Sequence, residues 1–305
     1  MKRVLVTGAT GFIGRHCLPL LKNRGFEINA ITLPNDKIVV EGVNCVPFNL
    51  LENAGFHELL AELKPSHLLH FAWVTAPGHL WDSRDNITWL KKSIELLEAF
   101  ALQGGKRAVF SGTCAEYDWN SSLFEEYKST CLPQTLYGSS KLALQLVVEA
   151  LAKQMGFSQA WGRVFYLYGP HEYPQRFVPA VIQGLLQKKD VPCSHGNQVR
   201  DFLHVEDVAD AFITLLDSDV EGVVNIGSGQ GITLKQVIDH IVQRLGGADL
   251  IQLNALASPR NEPARLVATT DRLRNELGWS PRWGLEEGLK NTISWWERAM
   301  SDVRV

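Results

Sequence analysis

An excess of basic charge is missing: 30 Lys and Arg stand against 33 Asp and Glu, a net charge of −3 with histidine neutral. That balance gives no electrostatic footprint for a nucleic acid, and none is expected as a partner. Cysteine is sparse and scattered. The five thiols (Cys17, Cys45, Cys114, Cys131 and Cys193) are odd in number and form no CxxC pair. This excludes a disulfide framework and a structural zinc site, and it fits a reducing compartment; no metal is expected. No apolar run approaches the ~18 residues of a membrane span, so no membrane partner is expected. The opening Met-Lys-Arg-Val-Leu-Val-Thr-Gly turns polar after three apolar residues, too soon for a signal peptide. Repeats and low-complexity tracts are absent too. What remains, 45% hydrophobic and 21% charged over 305 residues, is the composition of a folded cytoplasmic enzyme, long enough for two lobes.

Strand-like and helix-like segments alternate from the start. Val4–Val6, Glu27–Thr32, Asn44–Phe48, His67–Phe71, Arg107–Ser111, Gln159–Val164 and Val223–Ile226 read as short apolar strands. Helical spacing of apolar residues runs from Ile13 to Leu21, Gly55 to Leu63, about Trp81 to Leu102 and Leu136 to Gln154. This βαβα order predicts an α/β fold with a doubly wound parallel sheet covered by helices on both faces. After about Tyr168 the rhythm changes. Helical patterns at Phe177–Leu186, Asp201–Leu216, Leu234–Leu245 and Leu285–Trp296 are separated by turn chemistry such as Tyr168-Gly169-Pro170-His171.

Between the first strand and first helix lies Thr7-Gly8-Ala9-Thr10-Gly11-Phe12-Ile13-Gly14. Glycines at 8, 11 and 14 permit a tight turn, close approach of backbone to a diphosphate, and tight helix–strand packing. The phosphates then sit on the positive end of the helix. Because the triplet follows a strand and opens a helix, it predicts a dinucleotide held by Gly8, Thr10, Gly11, Phe12 and Ile13. We therefore expect a Rossmann domain over residues 1–168, completed by about 200–226. A smaller C-terminal α/β substrate-binding lobe then comprises 169–199 and 227–305. A ribose-binding acid is expected about 20 residues beyond the loop. Thr32 and Leu33 stand there, followed by Asn35, Asp36 and Lys37. With no acid at the strand end, and with Thr32 and Lys37 available to a 2′-phosphate, the expectation for NAD(P) tilts to NADP(H), NAD staying open.

Tyr137-Gly138-Ser139-Ser140-Lys141 puts a phenol and an ammonium four apart, on one face of a helix start. A cation beside a tyrosine favours phenolate, which predicts Tyr137 as a proton donor or acceptor near neutral pH. Ser111-Gly112-Thr113 ends the strand before it.

At this point the sequence resembles the extended short-chain dehydrogenase/reductase group, the nucleotide-sugar epimerases, dehydratases and reductases. The resemblance runs nearly end to end. It is carried by the glycine loop, His70-Phe71-Ala72-Trp73, Asn86, Ser111-Gly112-Thr113, Tyr137 to Lys141, and Arg163 through Pro170. It continues in Arg200-Asp201-Phe202-Leu203-His204-Val205, Asn225 to Gly229, and Leu277 to Pro281. It implies Tyr137 as acid/base, Lys141 as the holder of the nicotinamide ribose, and Thr113 as the partner of the sugar oxygen. Asn49, Leu50, Phe71, Ala72, Trp73 and Phe165 are implied as further cofactor contacts. Trp73, Tyr166, His171 and Val178 are implied at the substrate, a nucleotide-diphosphate sugar, with Arg200 on its diphosphate.

Departures from the group's pattern narrow the reaction. Where its 4,6-dehydratases carry acids, this chain has Cys114 and Ala115, and alanine moves no proton. Glu116 comes one place later, as either a substrate contact or a charge bonded to backbone or arginine. Tyr166 replaces the usual asparagine, and the Trp73–Trp81 segment, with His79, is aromatic-rich. His171 matches the acid of relatives that epimerise and then reduce, although their cysteine base falls at Ala115. The reading is reduction of the C4 ketone of a nucleotide-linked 4-keto-6-deoxysugar. The alternatives are a 4-epimerase or coupled epimerase–reductase with retained NAD and, from another class, a non-catalytic dinucleotide-binding regulator. The resemblance also implies a homodimer through the 81–102 and 136–154 helices, whose apolar faces include Trp89, Leu96, Leu97, Phe100, Leu142, Val148 and Leu151.

Overall fold

The computed structural model describes residues 2–302 apart from Asn35, Lys37, Val39, Ser122, Leu123 and 259–261; Lys37, expected near a 2′-phosphate, thus lies outside the described residues. In chain order the N-terminal elements are β1 (Arg3–Thr7), α1 (Gly14–Asn23), β2 (Glu27–Thr32), β3 (Val43–Pro47) and α2 (Phe56–Leu63). They are followed by β4 (His67–His70), α3 (Asp85–Leu102), β5 (Arg107–Thr113), α4 (Leu136–Met155), β6 (Ser158–Val164) and β7 (Tyr166–Tyr168). Next come α5 (Phe177–Leu186), β8 (Val191–Pro192), β9 (Val199–Arg200), β10 (Phe202–His204), α6 (Val205–Leu216) and β11 (Gly222–Ile226). The chain closes with β12 (Ile232–Thr233), α7 (Leu234–Leu245), β13 (Ile251–Gln252), β14 (Arg265–Leu266) and α8 (Leu285–Asp302).

Seven strands form one sheet in the order β3-β2-β1-β4-β5-β6-β11, all pairs parallel. The period of two sorts the side chains. Val4, Val6, Ile28, Ala30, Leu69 and Val109 face α1 and α6, where they meet Cys17, Leu18, Leu21, Val208 and Phe212. Leu5, Ile31, Leu68, Ala108 and Phe110 face the other way, onto Leu60, Leu96, Phe100, Leu144 and Val148 of α2, α3 and α4. Each side chain so buried contributes about 1.5–3 kcal/mol, which is why these strands read as continuous apolar runs. The expected doubly wound Rossmann sheet is thus present.

The order reverses at β1: the chain leaves for β2 and β3, then returns to β4 on the other side. A crevice therefore opens at the carboxyl ends of β1 and β4, where such sheets bind ligands. Beyond the sheet, α5, α7 and α8 enclose a separate core of Val178, Ile182, Ile238, Ile241, Leu289 and Ile293. The short pairings β9–β12, β9–β14, β8–β13 and β7–β10 were not read from sequence. Of the apolar faces expected to serve the sheet and a partner, Leu96, Leu97 and Phe100 of α3 and Val148 of α4 are fully buried on the sheet. The outward residues of α3 and α4 are instead Ile87, Leu102, Leu146 and Met155.

After β5 the described chain runs on through residues 117–121 and 124–134 before α4. Tyr117 and Phe124 pack with Phe165, Leu266 and Ala268. Asn225 fastens it: its side-chain amide donates to the carbonyls of Phe124 (2.9 Å) and Thr269 (3.2 Å), and its N–H donates to Glu126 Oε1 (2.6 Å).

Candidate active site

The register Thr7↔His70 brings the glycine turn against the chain leaving β4. Gly8 sits at φ +66°, and a Cβ there would lie 2.8 Å from the Ala72 nitrogen and 2.9 Å from the Phe71 carbonyl carbon. A Cβ on Gly14 would lie 2.2 Å from the Gly8 oxygen. Only glycine closes this turn. His70 locks the crevice floor, with Nδ1 2.8 Å from Thr7 Oγ1 and Nε2 2.9 Å from Ser93 Oγ. Burial and the nearby Lys141 push its pKa down to about 3, so it stays neutral.

α1 begins with Ile13 at the N-cap position, without a capping side chain and without an acid in its first turn. The Arg15 and His16 amides already donate to Gly11 O (3.2 Å) and Ile13 O (3.0 Å), so an anion at this end would be met by the amides of the turn before them. Arg15 braces the turn from behind, donating to Thr10 O at 2.6 Å and Gly11 O at 3.3 Å. These residues fit a dinucleotide diphosphate. Ile13 packs partly on the sheet core, and Phe12 lies edge-on to His16 at 6.4 Å.

Around the adenosine end, one expectation changes. Asp36 folds back so that its Oδ2 accepts from Thr10 Oγ1 at 2.7 Å and from the Leu33 N–H at 3.4 Å. A carboxylate therefore stands at the glycine loop after all, supplied by the loop after β2 and not by its end. Thr32 itself is buried. Asn49 caps the turn after β3 by accepting from the Leu51 N–H (3.0 Å), and Leu50 is buried in the core under α2.

At the other end of the crevice Thr113, Tyr137 and Lys141 converge from β5 and α4. The helix starts at Leu136 because Thr135 caps it, its side chain accepting from the Gly138 N–H at 3.1 Å. Gly138 is forced, since a Cβ would lie 2.3 Å from the Ala115 oxygen. The Tyr137 N–H donates to Trp81 O at 2.9 Å, and its ring meets Trp81 edge-on at 5.9 Å. Burial raises the Tyr137 pKa, and the Thr113 hydroxyl bonded to it opposes that rise. Lys141 donates to Ser111 O at 2.9 Å, and burial lowers its pKa to about 7, with Glu116 opposing. The expectation that the ammonium alone lowers the phenol is thus not met in the cofactor-free chain. Desolvation wins, because Lys141 points at a carbonyl and not at the hydroxyl.

Glu116 turns inward. Its Oε1 accepts from the Thr113 N–H at 2.8 Å, its two oxygens from Trp161 Nε1 at 3.1 Å, and Oε2 from Arg163 Nε at 2.6 Å. With Thr113 accepting from the Ala115 N–H at 3.2 Å, this is a reciprocal cap that fixes Thr113. Glu116 is fully buried, so its part is to position Thr113.

Other expected residues scatter. His171 adopts φ +70°, which turns its Nδ1 to 2.6 Å from Arg15 Nη1 and its ring onto Trp295 at 4.6 Å. Its recorded partners do not include Thr113 or Tyr137. Burial pushes the Cys114 thiol up to about 12, leaving a poor base. Phe165 packs its ring with Tyr117 and Phe124, and Val178 is in the core of the second lobe. Arg200 is buried. It pairs with Glu262 Oε1 at 2.8 Å and lies 5.4 Å from the Tyr166 ring centre, so these two residues do meet. Phe71 rests edge-on against Phe212, and Trp81 against Trp119, while His79 is exposed. No group of three or more His, Cys, Asp or Glu among the described residues could hold a metal ion.

Residues 4–227 match the NAD dependent epimerase/dehydratase family. The chain belongs to that family. It is 28% identical to the UDP-glucose 4-epimerase of Corynebacterium glutamicum over 92% of this chain and 91% of that protein. It is 27% identical to the CDP-abequose synthase of Salmonella typhimurium over 95% of this chain and 97% of that one. Among solved structures, the Thermus thermophilus UDP-glucose 4-epimerase complex with NAD superposes with a TM-score of 0.86 at 26% identity, covering 97% of this chain and 99% of that one. MoeE5 in complex with UDP-glucose and NAD gives 0.84 at 26%, covering 98% and 99%. This family member is therefore an enzyme of the extended short-chain dehydrogenase/reductase type, as its motifs led us to expect. No helix among its described residues is long and apolar enough to cross a membrane.

Proposed function

We propose that this enzyme is a 4-epimerase of a nucleotide-diphosphate sugar that works with retained NAD. The observation that carries the reading is Asp36 on Thr10 at the glycine loop. A carboxylate there accepts hydrogen bonds from ribose hydroxyls and repels a 2′-phosphate, which favours NAD over NADP(H). NAD supplies the hydride acceptor, and later the donor, at the sugar's C4. Tyr137 accepts the C4 hydroxyl proton and returns it, with Thr113 bonded to the same oxygen and Lys141 holding the nicotinamide ribose. Returning the hydride to the opposite face of C4 needs no second acid, and none stands beside Tyr137: Ala115 is inert, Cys114 is held protonated, and Glu116 is committed to Arg163. The epimerases among its relatives support this choice.

A second reading, reduction of a 4-keto-6-deoxysugar, is favoured by the aromatic pair Trp81 and Trp119 beside Tyr137, since flat apolar rings suit a deoxy carbon. One experiment separates the two. Denatured protein should release about one equivalent of NAD, and UDP-linked hexoses should interconvert at C4 without added cofactor. An empty protein that consumes NADPH on a 4-keto substrate would replace the epimerase with the reductase.

A further inference from the structure

Lys141 is buried without a carboxylate bonded to it among the described residues. Its Nζ lies 4.0 Å from the centre of the Trp73 ring. That ring is fixed on its other sides. Nε1 donates to Asn86 Oδ1 at 2.8 Å, and the indole stacks on Trp89 at 6.3 Å with 28° between planes. Asn86 is held in turn by the carbonyls of Leu80 (2.8 Å) and Ser83 (2.9 Å). The indole is therefore built into the wall.

Two titratable groups act on Lys141, His70 on β4 and Glu116 after β5; Glu116 is paired with Arg163 on β6, and Tyr137 lies one turn earlier on the same helix. His70 is neutral and Glu116 is bound to Arg163. An aromatic face attracts a cation through its quadrupole and is strongest when both are out of water. It adds no negative charge that would keep the phenol of Tyr137 protonated, as a carboxylate would.

We propose that Trp73 is a positioning residue whose indole face holds the Lys141 ammonium charged and aimed along the crevice toward the nicotinamide ribose. An ammonium has three donors. Ser111 takes one, the indole face is met by another, and the third stays free for a ribose hydroxyl. The ribose clause rests on the function proposed above, whereas the cation–ring contact does not.

The test begins with cofactor-free protein whose lysine side chains carry 13C, followed by NMR through a pH titration. The Lys141 signal is assigned by its loss in Lys141→Met. In the wild type its ε protons should be displaced upfield by the ring current of Trp73, and an undisplaced signal overturns the contact without any variant. Trp73→Leu should lower the Lys141 midpoint by about one pH unit, with Trp73→Phe between leucine and wild type. The alkaline limb of kcat/KM should move in the same order. Equal midpoints in folded Trp73→Leu and wild type overturn the proposal. If Trp73→Leu does not fold, the ring-current displacement decides. Should the titration behave as stated while no NAD binds, the epimerase reading falls and the Trp73 contact stands.

Discussion

Replacing Glu116 by alanine strips the most deeply buried ion pair among the described residues of one partner. The Arg163 side chain is 3% exposed and Glu116 0%. Burial alone would lower the arginine's pKa, but the Glu116 carboxylate raises it above its ordinary value, so it stays charged. Removing the carboxylate therefore leaves an uncompensated guanidinium, at a cost of about 3–5 kcal/mol. It also leaves Trp161 Nε1 and the Thr113 N–H without their acceptor. For a chain of this size the melting temperature should fall on the order of 10 °C. Thr113 loses its fixed turn, and kcat should drop about 10–100-fold. Urea unfolding and steady-state turnover read both effects. The decisive comparison is Glu116→Leu with Arg163→Met, which removes both charges and should recover much of the stability, because an apolar replacement of a buried pair is often neutral. A single variant that loses less than about 1 kcal/mol, or a double variant no better than the single, would refute the reasoning.

Four further outcomes are expected. Tyr137→Phe should abolish turnover while cofactor binding, followed by fluorescence titration, is kept; undiminished turnover removes Tyr137 from the chemistry. Asp36→Asn should narrow the preference for NAD over NADP by about tenfold, read from the two dissociation constants, since one repulsive charge is lost. His70 has a depressed pKa in the fold, so below about pH 6.5 the unfolded chain takes up its proton first. Stability that is full above that pH should then fall by about 1.4 kcal/mol per pH unit toward pH 3, and His70→Gln should remove that component of the slope in urea titrations. Leu146, 58% exposed on α4, should mediate self-association, so the wild type should sediment as a dimer and Leu146→Glu as a monomer; a monomeric wild type would remove the interface.

How much of this was legible depended on sequence distance. The glycine loop and the Tyr137–Lys141 pair are local, set by a turn and one helical repeat, and both stand where their spacing put them. Glu116 was visible but undecided, because Trp161 and Arg163, 45 and 47 residues away, decide it. Asp36 was passed over for a different reason: the ribose position was counted along a strand, whereas the carboxylate arrives by a loop folding back onto Thr10. His171 was assigned by its place after Gly169-Pro170, yet the left-handed backbone there turns the ring to Arg15. Arg200 was expected on a diphosphate, whereas in the fold it is buried on Glu262, a partner from a segment whose register against β9 only β14 establishes. The two-residue strands carry too little pattern to be read at all.

The long-range packing of the segment after β5 has a consequence for the order of synthesis. Phe124 and Glu126 are anchored by Asn225, by the Thr269 N–H donating to Phe124 O, and by the bridge between Phe124 and Ala268. A ribosome releases the glycine turn, β4 and the Tyr137 helix well before residue 225, and residue 268 later still. The growing chain can thus close its nucleotide cradle early. The packing of Phe124 and Glu126 is completed only once residues 225 and 268 have emerged.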